Sequence, residues 1–175
     1  LTNQVIDAQT VCKDLQDLAD DDDVKAVVLR INSGGGSAYA SEQIWHQIME
    51  LKKKKPVVVS MGGMAASGAY YMSCPADWIV AEPTTLTGSI GIFGMFPNVS
   101  SLVKDKLGVK FDVVKTNKYS DFGQGMRPFN ADEMSNLQGY IGRGYQLFRQ
   151  RVADGRHMST SQVEKIAQGH VWVGQ

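Results

Sequence analysis

Ser67 lies in the run Met61-Gly62-Gly63-Met64-Ala65-Ala66-Ser67-Gly68-Ala69-Tyr70, directly after the apolar stretch Val57-Val58-Val59. A second run of small residues, Asn32-Ser33-Gly34-Gly35-Gly36-Ser37, follows another apolar stretch, Val27-Val28-Leu29-Arg30-Ile31. Two strands that each empty into a glycine-rich turn can gather a hydroxyl and backbone N–H groups around one point. Acyl transfer needs that equipment: a nucleophile, and donors aimed at the oxyanion it creates. Ser67 is the candidate nucleophile, and Gly35 and Gly68, the residue after the serine, are the candidate oxyanion donors. Losing one such donor typically costs about 3–4 kcal/mol of transition-state stabilisation.

Each turn also has a plainer reading. Ala-Ala-Ser-Gly suits a helix start packed close to a strand, and taken alone that is the more economical account of Ser67. Gly34 to Gly36 is equally a permissive turn; it has neither GxGxxG nor a following Gly-Lys-Ser/Thr, so a phosphate loop is not indicated. A serine nucleophile needs a base within hydrogen-bond reach. His46 falls mid-helix among polar neighbours, His157 precedes a helix cap and His170 sits in an apolar tail, and no acid partner stands out for any of them. A neutral lysine can serve if burial lowers its pKa by about 3, at a cost of about 4 kcal/mol. Lys115 and Lys118 are the nearest candidates, yet neither lies in a clearly desolvating stretch. The residues by themselves leave the base unassigned.

The chain that must position these groups has 175 residues, enough for one domain with a real core. Its 18 basic and 18 acidic side chains balance, so no global field favours nucleic acid or an anionic membrane. The acid run Asp20 to Asp23 and the base run Lys52 to Lys55 read as solvated loop or helix ends. Two cysteines and three scattered histidines make neither a disulfide framework nor a zinc site, and no cofactor is expected. No stretch has the length of a membrane span and no signal peptide is visible. Leu1 is not a starting methionine, and the chain reads as an excised piece of a longer protein.

Val11, Leu15 and Leu18 recur at helical spacing. Val24 to Ile31 reads as a continuously buried strand, as in parallel sheets covered on both faces. Ile44, Ile48 and Leu51 mark a second helix, stopped before Pro56; Val57 to Ser60 is a strand, Ala65 to Cys74 a helix starting at Ser67, and Trp78 to Ala81 a short strand. This rhythm predicts an α/β fold with right-handed crossovers. Pro83 to Asn98 suits a strand and turns, Phe111 to Val114 another strand, and Tyr119 to Pro128 a loop. Leu137, Ile141, Phe148 and Val152 define a long helix capped by Asn130 or Asp132, and Ser159 with Gln162 is a capping box for a last short helix.

At these residues the chain closely resembles the signal peptide peptidase A family of bacteria, also called protease IV. The resemblance rests on Val24 to Ser33, Gly62-Gly63-Met64-Ala65-Ala66-Ser67-Gly68, Leu86-Thr87-Gly88-Ser89-Ile90-Gly91-Ile92-Phe93 and Ile166-Ala167-Gln168-Gly169-His170-Val171-Trp172, in the right order over essentially the whole chain. It implies a Clp protease/crotonase-like α/β fold, a parallel-strand sheet flanked by helices, and a serine–lysine dyad that cleaves peptides through an acyl-enzyme. Ser67 is then the nucleophile, with Gly35 and Gly68 as donors.

Two departures stand out. The family's Asn-Ser-Pro-Gly-Gly reads Asn32-Ser33-Gly34-Gly35-Gly36 here, which loosens the turn and keeps its donors. The dyad lysine falls on Ser120, within Asn117-Lys118-Tyr119-Ser120-Asp121. Long family members carry two tandem copies, the first giving the lysine and the second the serine. The expectation is therefore one peptidase domain over residues 1–175, the C-terminal copy of such a protein, inert alone and active beside the upstream half; Lys118 is the fallback base. The resemblance also implies homo-oligomeric rings, cleaved signal peptides as substrates, and anchoring by an upstream segment in the bacterial inner membrane with the catalytic part facing the periplasm. Ile90, Ile92 and Phe93 are candidates for an apolar groove accepting extended peptide, or for core packing.

Three rivals use the same residues. A Clp-type serine–histidine–aspartate peptidase needs a histidine after the nucleophile's helix, and Pro83 to Asn98 has none. A crotonase-like acyl-CoA enzyme would use the donor pair without Ser67, and a non-catalytic copy would only build the ring.

Overall fold

The backbone of the computed structural model describes residues 5–175. Asp7 begins the order: its carboxylate accepts the Thr10 N–H at 2.8 Å and caps α1 (Ala8–Asp20). The chain then runs through β1 (Val27–Ser33), α2 (Ala38–Lys52), β2 (Val57–Ala66), α3 (Gly68–Ser73), β3 (Trp78–Val80), β4 (Leu86–Gly88), a π-helical turn at Leu102–Lys106, α4 (Ala131–Arg156), α5 (Thr160–Ile166) and β5 (Val171–Val173). It divides into two compact units. One is formed by the chain up to Ile92 together with Gly144–Gln175, the other by Phe93–Arg143.

In the first unit β2 is the hub of the sheet. It pairs in parallel with β1 on one side; on the other its first half takes β3 and its last residues take β4. β5 closes the far edge antiparallel to β4. The expected α/β arrangement of mostly parallel strands and helices is therefore present. Among the described residues β1 is an edge strand, however, and it is not buried on both faces: its burial alternates, and Val28 is exposed. The expectation of a continuous strand mistook an apolar run for two covered faces.

β2 is longer than its valines suggest. Opposite Ile31–Ser33 it carries extra residues, so that Ile31 faces Met61 while Ser33 faces Ala65. Asn32 fills the bulge and its Oδ1 accepts the Met64 N–H at 3.2 Å. A Cβ on Gly62 would lie 2.7 Å from Asn32 Cβ, so glycine is required there. Ala65 and Ala66, expected in the helix, thus belong to the strand, and α3 begins after Ser67.

Two clusters form the core of this unit. Leu15, Ile44, Ile48, Leu51, Val57, Val59 and Met72 fill the space between α1, α2, α3 and the sheet. Trp45, Tyr71, Ile90, Phe148, Val152 and Val163 join α2, α3, α4 and α5. The acid and base runs meet as a specific contact: Lys54 pairs with Asp20 at 2.6 Å, and Lys55 Nζ donates to Leu18 O and Asp21 O, the carbonyls that end α1. The Ser159–Gln162 capping box is made as expected.

The second unit has a small aromatic cluster, with Phe129 against both Phe96 and Phe122 at centroid separations of 5.8 and 5.1 Å. Asn130 caps α4, exchanging hydrogen bonds with Glu133 in both directions at 2.9 Å. Phe111–Val114, read as a strand, joins no ladder; Phe111, Val113 and Val114 are exposed. Period-two alternation is present there, but a strand needs a partner edge.

Candidate active site

Ser67 stands where β2 turns into α3, with φ 53° and ψ −123°, a backbone that L-residues other than glycine rarely adopt. Such strain costs about 1–3 kcal/mol and persists only when surrounding contacts over-determine it. Three contacts do so. The Ser67 N–H donates to Gly88 O at 2.9 Å, its carbonyl accepts the Tyr71 N–H at 2.9 Å, and the Gly34–Gly36 turn packs directly on it. The side chain is half-buried at the mouth of this turn.

Gly35 has φ 95°, and a Cβ there would lie 2.6 Å from Gly68 N, 2.8 Å from Ala66 O and 2.9 Å from Ser67 Cβ. A Cβ on Gly68 would overlap Ser41 Oγ and lie 3.2 Å from Gly36 N. The fold therefore brings Gly35, Ser67 and Gly68 into one backbone contact, which only glycines permit. The Gly35 N–H donates to Ser33 Oγ at 3.1 Å. The backbone nitrogen of Gly36 also lies against Gly68, 3.2 Å from where a Cβ there would sit. Beside the turn lies a cleft of about 390 Å³ whose floor includes Ile44 and Met72 and whose wall includes Ser33, Gly35, Gly36 and Ser41.

α3 is held from behind. Tyr71 packs on Phe148 at a centroid distance of 4.7 Å, and its hydroxyl donates to Glu42. Burial and that carboxylate push the Tyr71 phenol well above its ordinary range. Arg151 donates to the same carboxylate at 2.5 Å and stacks 3.6 Å from the Trp45 centroid.

None of the three histidines is arranged as a base. His46, His157 and His170 are all exposed, and among the described residues none forms an ion pair. Burial pushes the Cys74 thiol up to about 12, so it stays protonated at neutral pH.

Lys118 and Ser120 belong to the second unit. Lys118 pairs with Asp132 at 2.8 Å, and that contact, together with Tyr119, raises its pKa above the ordinary lysine value. The sign is opposite to what a general base needs. Lys115 pairs with Asp121 at 2.8 Å. Ser120 Oγ donates to Asn117 O at 2.9 Å within a tight turn.

A second strained serine went unread in the sequence. Ser89 has φ 48°, directly after Gly88, whose carbonyl receives the Ser67 N–H. Among the described residues no group of side chains has the makings of a metal site, and no helix is long and apolar enough to cross a membrane.

Comparison with known proteins agrees with this geometry. The model of the Clp protease family matches residues 2–78, and that of peptidase family S49 matches residues 49–175. The chain is 46% identical over 166 residues to Protease 4 of Haemophilus influenzae, covering 94% of this chain and 27% of that protein. It is 44% identical to Protease 4 of Salmonella typhi, with 97% and 27% covered. With the chloroplastic serine protease SPPA of Arabidopsis thaliana it shares 37% identity, over 96% of this chain and 25% of that protein. It thus spans about a quarter of the length of these relatives. Among solved structures, a point mutant of ClpP1 from Listeria monocytogenes superposes with a TM-score of 0.59 at 17% identity, covering 95% of this chain and 75% of that one. That likeness establishes a Clp/crotonase-like α/β fold. The strained serine and its glycine turn are thus found in a chain that belongs to peptidase family S49, the family of protease IV and signal peptide peptidase A.

Proposed function

We propose that this chain is the serine-bearing domain of a peptidase, in which Ser67 Oγ attacks a peptide carbonyl and carries the acyl group. The observation that carries the reading is the strained Ser67 backbone locked against the Gly34–Gly36 turn. In this mechanism the Gly68 N–H is one oxyanion donor. Gly35 supplies the other on exchanging Ser33 Oγ for the oxyanion, with Gly36 N–H adjacent. Ser67 Oγ loses its proton to a base as the C–O bond forms. The collapsing tetrahedral intermediate expels the peptide amine, which takes that proton, and water then releases the acyl group by the same path.

The base in this reading is a lysine from outside the chain, in the upstream half of a tandem protein. Three observations support it. Ser120 stands at the family's lysine position, Lys118 is held charged by Asp132, and the chain spans only about a quarter of its Protease 4 relatives. Cleaved signal peptides as substrates, assembly with further copies, and anchoring in the bacterial inner membrane with the site facing the periplasm follow from the family resemblance and are part of the same proposal.

The test is peptide hydrolysis by the chain together with the lysine-bearing half, with and without Ser67→Ala. Loss of turnover by at least about 10³-fold is expected. Retained turnover of an acyl-CoA thioester by the Ser67→Ala protein would instead favour the crotonase-like use of the donors.

A further inference from the structure

The C-terminal run Ile166 to Trp172 is one of the four segments that carry the family resemblance, yet no step of the proposed chemistry uses it. We infer that it is the positioning device of the nucleophile: a latch in which β5, through Trp172, fixes the Gly88 carbonyl that holds Ser67 in its strained conformation. This inference rests on the reading of Ser67 as the nucleophile.

The geometry runs in one connected chain. The Ser67 N–H ends on Gly88 O at 2.9 Å. Gly88 takes φ 77°, which glycine permits, but Ser89 directly after it takes φ 48°, so this carbonyl is presented by a turn whose serine would not hold that shape unaided. β5 supplies the support. Gly88 pairs with Val171, the Ser89 N–H donates to His170 O at 2.7 Å, and the Gly169 N–H donates to Ile90 O at 3.0 Å. Trp172 covers the pair: a Cβ on Gly88 would lie 2.7 Å from Trp172 Cδ1, so the indole edge rests directly on the Gly88 backbone.

The latch is anchored in its turn. Trp172 Nε1 donates to Ile166 O at 2.9 Å, and the Gln168 N–H donates to Tyr145 Oη at 3.1 Å. Tyr145 donates to Glu164, which also accepts Arg149 at 2.6 Å. Gln168 and Gly169 are left-handed as well, at φ 59° and 77°. Three non-glycine residues in rare backbone conformations (Ser67, Ser89 and Gln168), with the positive-φ glycines Gly88 and Gly169 between them, therefore share one hydrogen-bonded path from α4 and α5 to the site. Isolated strain of this kind would relax; cross-linked strain stays. Trp172 is about half exposed, so its role is not that of a core residue.

The test is amide hydrogen exchange in this chain with Trp172→Ala. The Ser67 and Ser89 amides are expected to exchange at least about tenfold faster, with the β1–β2 ladder changed by less than about twofold. A general loss of stability would move all these amides together, and that result, or unchanged exchange at Ser67, overturns the latch. Should the alanine variant fail to fold, Trp172→Phe, which keeps a ring but loses the bond to Ile166 O, is read by the same comparison. In the protein joined to its lysine-bearing half, Trp172→Ala is expected to lower the maximal rate of serine-directed phosphonate labelling about tenfold, with phosphonate affinity changed less than about twofold. Localised exchange at Ser67 in a protein whose wild-type Ser67 is never labelled would defeat the nucleophile reading while leaving the latch standing.

Discussion

Ser67, Gly35 and Gly68 meet because two of them lack a side chain. That much is legible in the sequence, since a run of tiny residues after an apolar strand signals close backbone approach. What the residue types do not reveal is conformation: the left-handed Ser67 and Ser89, and the hold of Ser33 on the Gly35 N–H, depend on partners 20 or more residues away or on local turn geometry. The glycines of the turn are accordingly unequal. Gly35→Ala places a Cβ within 3 Å of three atoms at φ 95° and should destabilise the fold by about 2–4 kcal/mol, combining steric overlap with an unfavourable backbone. Gly34→Ala meets only the movable Met64 Sδ at 3.2 Å and should cost less than about 1 kcal/mol. Denaturant unfolding of the two variants checks this, and equal losses would contradict the packing described here.

Elements are legible where periodicity is long. α1, α2 and α4 fall where their apolar spacing places them, and both capping signals at Asn130 and Ser159 are used. Short strands are harder to see. β5 has three residues and no alternation to reveal it, and its place is set by Gly88 and Leu86 across the ladder. Phe111–Val114 has the alternation and finds no edge.

The loop bearing Ser120 is organised by charge, which periodicity cannot detect. Arg127 donates to both carboxylate oxygens of Asp121 and to both of Glu133, and these acids are only 6% and 1% exposed. The guanidinium holds the Asp121 carboxyl well below its usual range and that of Glu133 at about 2, against 4.5 in an unstructured chain. A depressed carboxyl stabilises the fold above its unfolded value and loses that contribution as pH falls through the folded one. The clamp's contribution to stability should therefore be full above about pH 4.5 and decline below it, while the clamp itself opens only as pH falls through about 2, followed by the Phe122 and Phe129 ring signals in NMR. At neutral pH Arg127→Met should lower thermal stability more than Lys118→Met, because the first leaves the buried Glu133 carboxylate without an ionic partner and Asp121 with Lys115 alone, and the second breaks an exposed pair. The reverse order would show that the clamp does not organise the loop.

At the scale of the whole molecule, the turn proposed to carry the nucleophile has no matching base beside it among the described residues. The chain's balanced charge supplies no net long-range attraction for a partner. The family membership was readable from four separated segments, whereas the division into two units was not, because α4 runs through both without a break in its pattern. The central claim is that Ser67 is a nucleophile activated by a lysine outside this chain. A serine-directed phosphonate, read by mass spectrometry of the Ser67 peptide, tests it in the chain alone and in the chain joined to the lysine-bearing half. Labelling of Ser67 in the joined protein only, abolished by replacing that half's lysine, is the predicted result; equal labelling of Ser67 in both forms would contradict it.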